Sequence, residues 1–327
     1  MLDPIFNSEL MIHLLTQPWF QLVFTVIIAV LASTKATLQS FVCKKHVRNS
    51  QDSILYNSMF FLFVALFLSA TLNIMMPNAE IILWALMLAI GSVLFQVFYS
   101  MALSEGPVSI TILIINFAVV VPTFASAVVF NDEIYYSQLL GIVCLLISFP
   151  LSVKEGGEGQ KKANKKWLIL TILTLVFDSL AMTMQKMFSI TESFKTYDSR
   201  ASNTFLVFIY AFGAVIALGI YLCKRLFGNK AYGANKHTFK FGWSILLFAI
   251  AMGLDLAIYQ KFYMTANIKF DGFFFPTFMG IQAISMTTIG IILFGDKLNK
   301  RQWVGVLFGI GAIVLLNVQF GSSFTIA

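Results

Sequence analysis

Charge is what this sequence has least of. Asp, Glu, Lys and Arg together make up 11% of the 327 residues, whereas 58% are hydrophobic, and the mean hydropathy is +0.83. Soluble domains carry about 25% charged residues. The composition therefore excludes an ordinary water-soluble domain and predicts an integral membrane protein.

The residues that metal sites and catalytic centres use are scarce as well. The three cysteines form no C-x-x-C pair and no Cys/His cluster, and the three histidines lie outside the apolar segments. The sequence therefore predicts no enzyme activity, no metal site and no other cofactor. It also favours inert thiols over a disulfide framework. These residues are His13, His46, His237, Cys43, Cys144 and Cys223.

Long apolar runs take the place of the missing charges. They do not alternate between apolar and polar residues, as the strands of a membrane barrel would. Each run approaches the ~20 residues that a helix needs to cross a bilayer. The sequence predicts an all-α polytopic membrane protein with ten transmembrane helices. They cover residues 19–41, 54–76, 81–103, 108–130, 135–153, 167–190, 203–222, 241–264, 271–294 and 303–320.

The two ends of the chain lie outside these spans. Residues 1–18 have no basic n-region, and no small-residue cleavage site follows them. We therefore expect no cleaved signal peptide but an interfacial or disordered lead-in. Residues 321–327 form a short C-terminal tail.

The ten spans divide into two similar halves. A polar linker, residues 154–166, separates a first half at 19–153 from a second half at 167–320. The segments 130–132 and 138–141 recur as 294–296 and 302–305, both at an offset of 164 residues. Because five spans are an odd number, the second half enters the membrane from the opposite side. The sequence thus predicts two inverted five-helix repeats, an architecture of secondary transporters.

The net charge of +7 is better explained by the orientation of the chain in the membrane than by a nucleic-acid partner, because of where the positive residues lie. Loops that follow odd-numbered spans hold 16 Lys and Arg residues, whereas the other side, with both termini, holds three. Positive residues concentrate in cytoplasmic loops. The count therefore predicts that the odd loops are cytosolic and that both termini are outside.

Several motifs of the first half follow a family pattern. They are Tyr99-Ser-Met-Ala-Leu103, Glu105-Gly-Pro-Val-Ser109, Pro122, Asn131-Asp-Glu133 and Gln138-Leu-Leu-Gly141. With these motifs the chain resembles the ten-helix EamA-like members of the drug/metabolite transporter superfamily. The resemblance implies alternating-access transport of a small organic solute through a central cavity, and both termini in the cytosol, against the charge count.

The second half keeps only part of that pattern. It retains Tyr259, Phe294-Gly-Asp296 and Gln302-Trp-Val-Gly305. It has Met286 in the place that matches Pro122, and Lys297 where the family has an acidic residue. We therefore look for the specific function of this protein in the differences between the halves.

Two carboxylates lie deep inside predicted spans. At 1.5 Å per residue, Asp178 lies about 16 Å into the sixth span and Asp255 about 21 Å into the eighth. Such residues are costly in lipid and mark functional sites. We interpret them as a proton or cation relay, or as counter-ions for a basic substrate. The alternative is internal pairing with Lys35, Lys186 or Lys261 that fixes helix packing.

The lysines have two interpretations of their own. Lys186 and Lys261 lie about four residues from the ends of their predicted spans, so we expect them to snorkel to the interface. Lys35 is nine residues from its basic loop. It is a candidate for anion binding or for an internal ion pair.

Uncharged polar side chains complete the candidate substrate-binding or coupling set. They suit the orientation of a solute by hydrogen bonds, and they equally suit a seam between helices. With Lys35, Asp178 and Asp255, the set comprises Gln39, Gln96, Tyr99, Asn116, Tyr259 and Gln282. Pro122 lies inside its helix and predicts a kink, with a hinge as its functional interpretation.

The sequence therefore predicts a secondary active transporter of a small organic metabolite of the amino acid, amine, sugar or nucleotide-sugar class. Proton coupling and exchange are both open. The alternatives are a multidrug or cationic-compound exporter and a non-transporting structural or regulatory membrane protein. The predicted partners are the solute, protons and membrane lipid, without nucleic acid, and the chain is a monomer or a homodimer. We expect the plasma membrane, with an organellar membrane as the alternative.

Overall fold

The computed structural model describes residues 9–46, 50–122, 125, 128, 134–153, 164–227, 243–269, 274–294, 298–317 and 323–324. Most of the predicted linker 154–166 and of the predicted tail 321–327 lies outside these residues, as do residues 1–8 of the lead-in. Within the lead-in, α1 covers Glu9–Leu15.

Five more helices of the first half have described bounds. They are α2 (Pro18–His46), α3 (Ser50–Thr71), α4 (Ala79–Glu105), α5 (Val108–Ile115) and α6 (Tyr136–Val153). A 3₁₀ turn, Asn116–Val119, prolongs α5, and residues 120–122 are again helical.

The second half contributes six helices. They are α7 (Lys165–Phe188), α8 (Glu192–Tyr197), α9 (Ser199–Phe227), α10 (Trp243–Lys269), α11 (Phe274–Phe294) and α12 (Lys300–Asn317). Each predicted span therefore overlaps helical backbone within the described residues, and the predicted all-α polytopic class is confirmed.

Six of these helices are long and apolar enough to cross a membrane, counted over the described residues. They are α2, α3, α4, α7, α9 and α10. Large apolar side chains stand exposed on their outer faces, such as Leu83 at 56%, Ile169 at 57% and Leu247 at 63%. Outer faces of this kind are compatible with contact to lipid tails but not with contact to water. The chain is an integral multi-pass membrane protein, and the count of ten spans stays a prediction.

Helices of one half pack mainly on helices of the other. The pairs α6–α12, α3–α9 and α4–α7 make the most extensive contacts, and α2 packs on both α10 and α11. Between α6 and α12 the Ser148 hydroxyl donates to the carbonyl of Gly305 at 2.6 Å. In the core, the rings of Phe188 and Phe205 stack with centroids 3.9 Å apart. The two halves thus share one interior.

Side-chain caps fix where several helices begin. Asn78 accepts from the N–H of Ile81 at 2.9 Å, and Asn164 accepts from the N–H of Trp167 at 2.7 Å. At α12, Asn299 and Gln302 cap each other reciprocally. These bonds satisfy N–H groups that the first turn of a helix leaves open. Gln302, part of the recurring motif, is therefore an architectural residue.

The turn between α4 and α5 packs closely against the side chain of Trp167. This indole is fully buried and donates from Nε1 to the Thr111 hydroxyl at 2.9 Å. A Cβ atom at Gly106 would lie 2.3 Å from the indole ring, so only glycine fits there. Glu105 forms an ion pair with Lys166 beside this contact. The start of α7 is thereby held against the first half.

One short pair of strands joins the two halves. The strand β1 (Ile134–Tyr135) pairs antiparallel with β2 (Ser323–Phe324), with Ile134 opposite Phe324. This two-residue ladder connects the segment before α6 with the C-terminal tail.

Candidate functional site

A cavity of about 120 Å³ lies between the two halves. It is lined by helices α2 to α5 of the first half and by α7, α9, α10 and α11 of the second. Six of the nine predicted binding or coupling residues contribute to its wall: Lys35, Gln96, Tyr99, Asp178, Tyr259 and Gln282. The structure thus brings together residues from five helices that the sequence singled out one at a time.

Lys35 lies over an aromatic pair in the cavity wall. Its Nζ atom is 5.8 Å from the ring centroid of Phe95 and 5.6 Å from that of Tyr99. The two rings stack on each other at 5.5 Å. Within ~6 Å, an aromatic face attracts an ammonium group. Among the described residues, no carboxylate oxygen comes within the 4.0 Å of an ion pair with Lys35.

The two predicted carboxylates occupy different places. Asp178 lines the cavity, whereas Asp255 is not part of its wall. The charge of Lys35 interacts with both carboxylates across space. The Oδ2 atom of Asp255 is buried and accepts no hydrogen bond within the described part of the chain. The predicted pairing of a carboxylate with Lys35 therefore does not take the form of a direct ion pair.

Lys261 does not snorkel, so that prediction was wrong. Its side chain is 5% exposed and donates to Asn203 Oδ1 at 2.7 Å. Asn203 in turn donates to the carbonyl of Asn73 at 3.1 Å. Lys261 is a buried residue that links α10 to α9, away from the cavity wall. Lys186 is half-buried.

Gln39 stands behind the wall instead of in it. Its amide donates to Gln96 Oε1 at 2.7 Å and to the Ser100 hydroxyl at 3.2 Å. Asn57 donates to the same hydroxyl at 3.3 Å. Gln39, Asn57 and Ser100 are fully buried. This cluster fixes the orientation of Gln96, which faces the cavity.

For two predicted residues, Asn116 and Pro122, the fold does not assign a role. The side chain of Asn116 lies outside the described part of the chain. Pro122 is buried in helical backbone, and its role as a hinge stays a prediction.

The wall also contains Gln185, and it contains Tyr210, Gln260 and Tyr263, which the sequence did not single out. Two of these residues, Tyr263 and Gln185, share a helix stripe with a predicted residue. Tyr259 and Tyr263 are four residues apart on α10, with ring centroids at 5.5 Å, and Gln185 lies two turns beyond Asp178. The Oε1 atom of Gln260 is buried and has no hydrogen-bond partner among the described residues.

A second polar cluster, here called the interhalf network, joins the segment after α3 to α8, α9 and α10. Glu80 accepts from the N–H and the hydroxyl of Ser193, at 2.9 and 2.5 Å. Asn78 also donates to that hydroxyl, at 2.6 Å. The N–H of Met75 donates to the Thr204 hydroxyl at 2.9 Å. With Asn73, Asn203 and Lys261, these residues make up the network.

Comparison with known proteins gives one family match, over part of the chain, and a likeness of fold. Residues 23–153 match the model of the EamA-like transporter family. No curated protein matches the chain. Among 27 matching chains of solved structures, one described as "Crystal structure of protein" aligns with a TM-score of 0.59 at 13% identity. The alignment covers 89% of this chain and 98% of the other, and at this identity it shows the fold alone.

Proposed function

We propose that this chain, whose residues 23–153 match the model of the EamA-like transporter family, is a membrane transporter of the drug/metabolite transporter superfamily that moves a small organic metabolite by alternating access. The observation that carries the proposal is the central cavity. Both halves line it, and it contains a cationic and an anionic side chain, Lys35 and Asp178. Solute sites of secondary transporters lie at such interfaces between repeats.

The packing of the helices supports the predicted inverted repeat, 19–153 and 167–320. When each helix is exchanged for its counterpart in the other half, the contacts map onto one another. The pair α4–α7 corresponds to α10–α2, and α2–α11 corresponds to α7–α5, and all four pairs are in contact. Such an arrangement allows one half to rock against the other around a fixed site.

The size of the cavity favours a metabolite over a drug. Sites for drug-sized ligands measure roughly 300–1,000 Å³, whereas this cavity measures about 120 Å³. An exporter of bulky cations would need a larger opening. A structural or regulatory protein without transport activity would need no cavity with buried charges, since these are costly to keep.

We further propose that a proton is the coupling ion. Three ionisable side chains stand inside the helix bundle, each of them half-buried: the carboxylates of Asp178 and Asp255 and the ammonium group of Lys35. One proton on a carboxylate makes this set neutral, and apolar surroundings favour the neutral form of a carboxylic acid. Asp255 is suited to hold this proton, because it stands outside the wall that the solute would contact.

Proteoliposomes with an imposed pH gradient test the proposal. We expect the gradient to drive accumulation of a solute from a panel of amino acids, amines, sugars and nucleotide sugars. Asp255→Asn should retain exchange of internal for external solute but lose accumulation driven by the gradient. Glu192→Gln, which neutralises an exposed carboxylate, is the matched control.

Two results would contradict these proposals separately. If gradient-driven accumulation were the same in wild type, Asp178→Asn and Asp255→Asn, the proton-coupling proposal would be wrong. If no solute of the panel crossed the membrane in either mode, transport of a small metabolite would be wrong. A reporter fused to either terminus tests the predicted plasma membrane location and orientation, and the charge count expects the reporter outside.

A further inference from the structure

The cavity holds two opposite charges that do not meet. Lys35 makes no ion pair and no hydrogen bond within the described part of the chain, and neither does Asp178. Both nevertheless line the same cavity. Buried charges are normally paired or hydrogen-bonded, because an isolated charge is costly in a medium of low polarity. The space between them is therefore suited to a group that pairs with each.

Gln260 adds a neutral polar side chain to the cavity wall. Its side chain lines the cavity, and its Oε1 atom is buried without a hydrogen-bond partner among the described residues. A buried acceptor without a partner requires an explanation, and an absent ligand is one. An ammonium group offers the donors that Asp178 and Gln260 lack, and Lys35 offers three donors that a carboxylate can accept.

The rest of the wall combines glutamines, such as Gln96 and Gln282, with large aromatic and apolar side chains. It includes Phe95, Tyr99, Tyr259, Met182 and Phe278. An uncharged side chain of the solute can lie against these rings, whereas a neutral sugar would leave the charges of Lys35 and Asp178 without a charged partner. At about 120 Å³ the cavity suits a molecule with few heavy atoms beyond its charged groups.

We propose, building on the proposed transport function, that the solute is a small zwitterion with the layout of an amino acid. Its carboxylate is bound by Lys35, and its ammonium group is bound by Asp178 and by Gln260 Oε1. A solute with a single charge would leave either Lys35 or Asp178 buried and unpaired, and a neutral solute would leave both. Asp255 is not needed for this contact and remains available for a proton.

Matched sets of three probes test the proposal. L-alanine, L-valine and L-phenylalanine are each compared with the amine that lacks the carboxylate and the acid that lacks the amine. For valine these are isobutylamine and 3-methylbutanoate. Thermal shifts of the purified protein and competition for uptake in proteoliposomes are measured. We expect at least one zwitterion to bind ten-fold or more tightly than both of its single-charge relatives.

Variants assign each charge to its residue. Lys35→Met should erase the advantage of the zwitterion over the amine, whereas Asp178→Asn should erase its advantage over the acid. Gln260→Leu should weaken binding of the zwitterion and the amine but leave the acid unchanged. If Lys35→Met fails to fold, Lys35→Arg should keep the preference for a carboxylate. Glu192→Gln should behave as wild type.

The proposal and the transport function fail in different ways. If amines, acids or sugars bind as well as every zwitterion, or if Lys35→Met and Asp178→Asn have the same effect on all three probes, the zwitterion is wrong and transport stands. If no probe, sugar or nucleotide sugar crosses the membrane, the transport function itself is wrong, and the zwitterion proposal falls with it.

Discussion

The central cavity and the interhalf network contain similar polar side chains, but these side chains are hydrogen-bonded in the network and partly unsatisfied in the cavity. In the network, the bonds that connect Glu80, Ser193, Asn203 and Lys261 to their neighbours measure 2.5–3.1 Å. In the cavity, Gln260 Oε1 is buried without a partner among the described residues. Satisfied polar groups hold a fold together, whereas unsatisfied ones are expected where a ligand binds. Substitutions in the network should therefore lower stability and leave the relative affinity for the probes unchanged, whereas Gln260→Leu in the cavity should lower uptake and leave stability nearly unchanged.

The largest loss of stability is expected for Asn203→Leu. This change removes an acceptor from the buried ammonium group of Lys261, and loss of a partner for a buried charged group costs about 3 kcal/mol. Chemical unfolding of the purified protein should show this loss, with the relative affinity for the probes unchanged. Asn203→Asp keeps the acceptor and should be far milder. Equal losses for Leu and Asp would contradict the role of the bond.

The contact between Gly106 and Trp167 provides an apolar reference. In Gly106→Val the new side chain would collide with the indole, and overpacking of this kind costs about 2 kcal/mol. The double variant Gly106→Val with Trp167→Leu should recover part of the loss, because the smaller side chain leaves room. A single variant as stable as wild type would show that the turn is not tightly packed.

A smaller loss is expected for Ser193→Ala. The hydroxyl accepts from Asn78 and donates to Glu80, and a typical buried hydrogen bond contributes about 1 kcal/mol. The unfolding curve should shift by that amount. Ser189→Ala, whose hydroxyl bonds only within its own turn among the bonds described, is the control and should shift it less. A larger shift for Ser189→Ala would reverse the interpretation of the network.

The smallest effect on stability is expected for Gln260→Leu, within about 0.5 kcal/mol of wild type. An apolar side chain of similar size replaces an acceptor that has no partner, and such a change is neutral or stabilising. Uptake should nevertheless fall. A stability loss comparable to that of Asn203→Leu would show that the cavity and the network do not differ in kind.

Much of this architecture follows from local sequence. Long apolar runs predicted where the long helices lie, although not the short helices α1 and α8, since the need to satisfy the backbone in lipid acts on every apolar segment separately. What meets across helices is not local. Asn57 and Ser100 join Gln39 because α2, α3 and α4 converge, and nothing in the spacing of these residues predicts it. Asp178 and Asp255 looked equivalent in depth, and only the packing separates them.

The error on Lys261 has a simple cause. The predicted span ended at residue 264, which placed the lysine near a membrane surface. The helix α10 continues to Lys269, so Lys261 lies eight residues from its end. The apolar run ends before the helix does, because Thr265 and Asn267 are polar but still helical.

The two-residue ladder between β1 and β2 also constrains how many times the chain crosses the bilayer. Residues 134–135 and 323–324 can pair only on one side of the membrane, so the number of crossings between them is even. Three of the helices with clear spanning character, α7, α9 and α10, lie in that interval. Three is odd. By parity, an odd number of crossings must come from the other long helices of the interval, α6, α11 and α12, and the full set would make six.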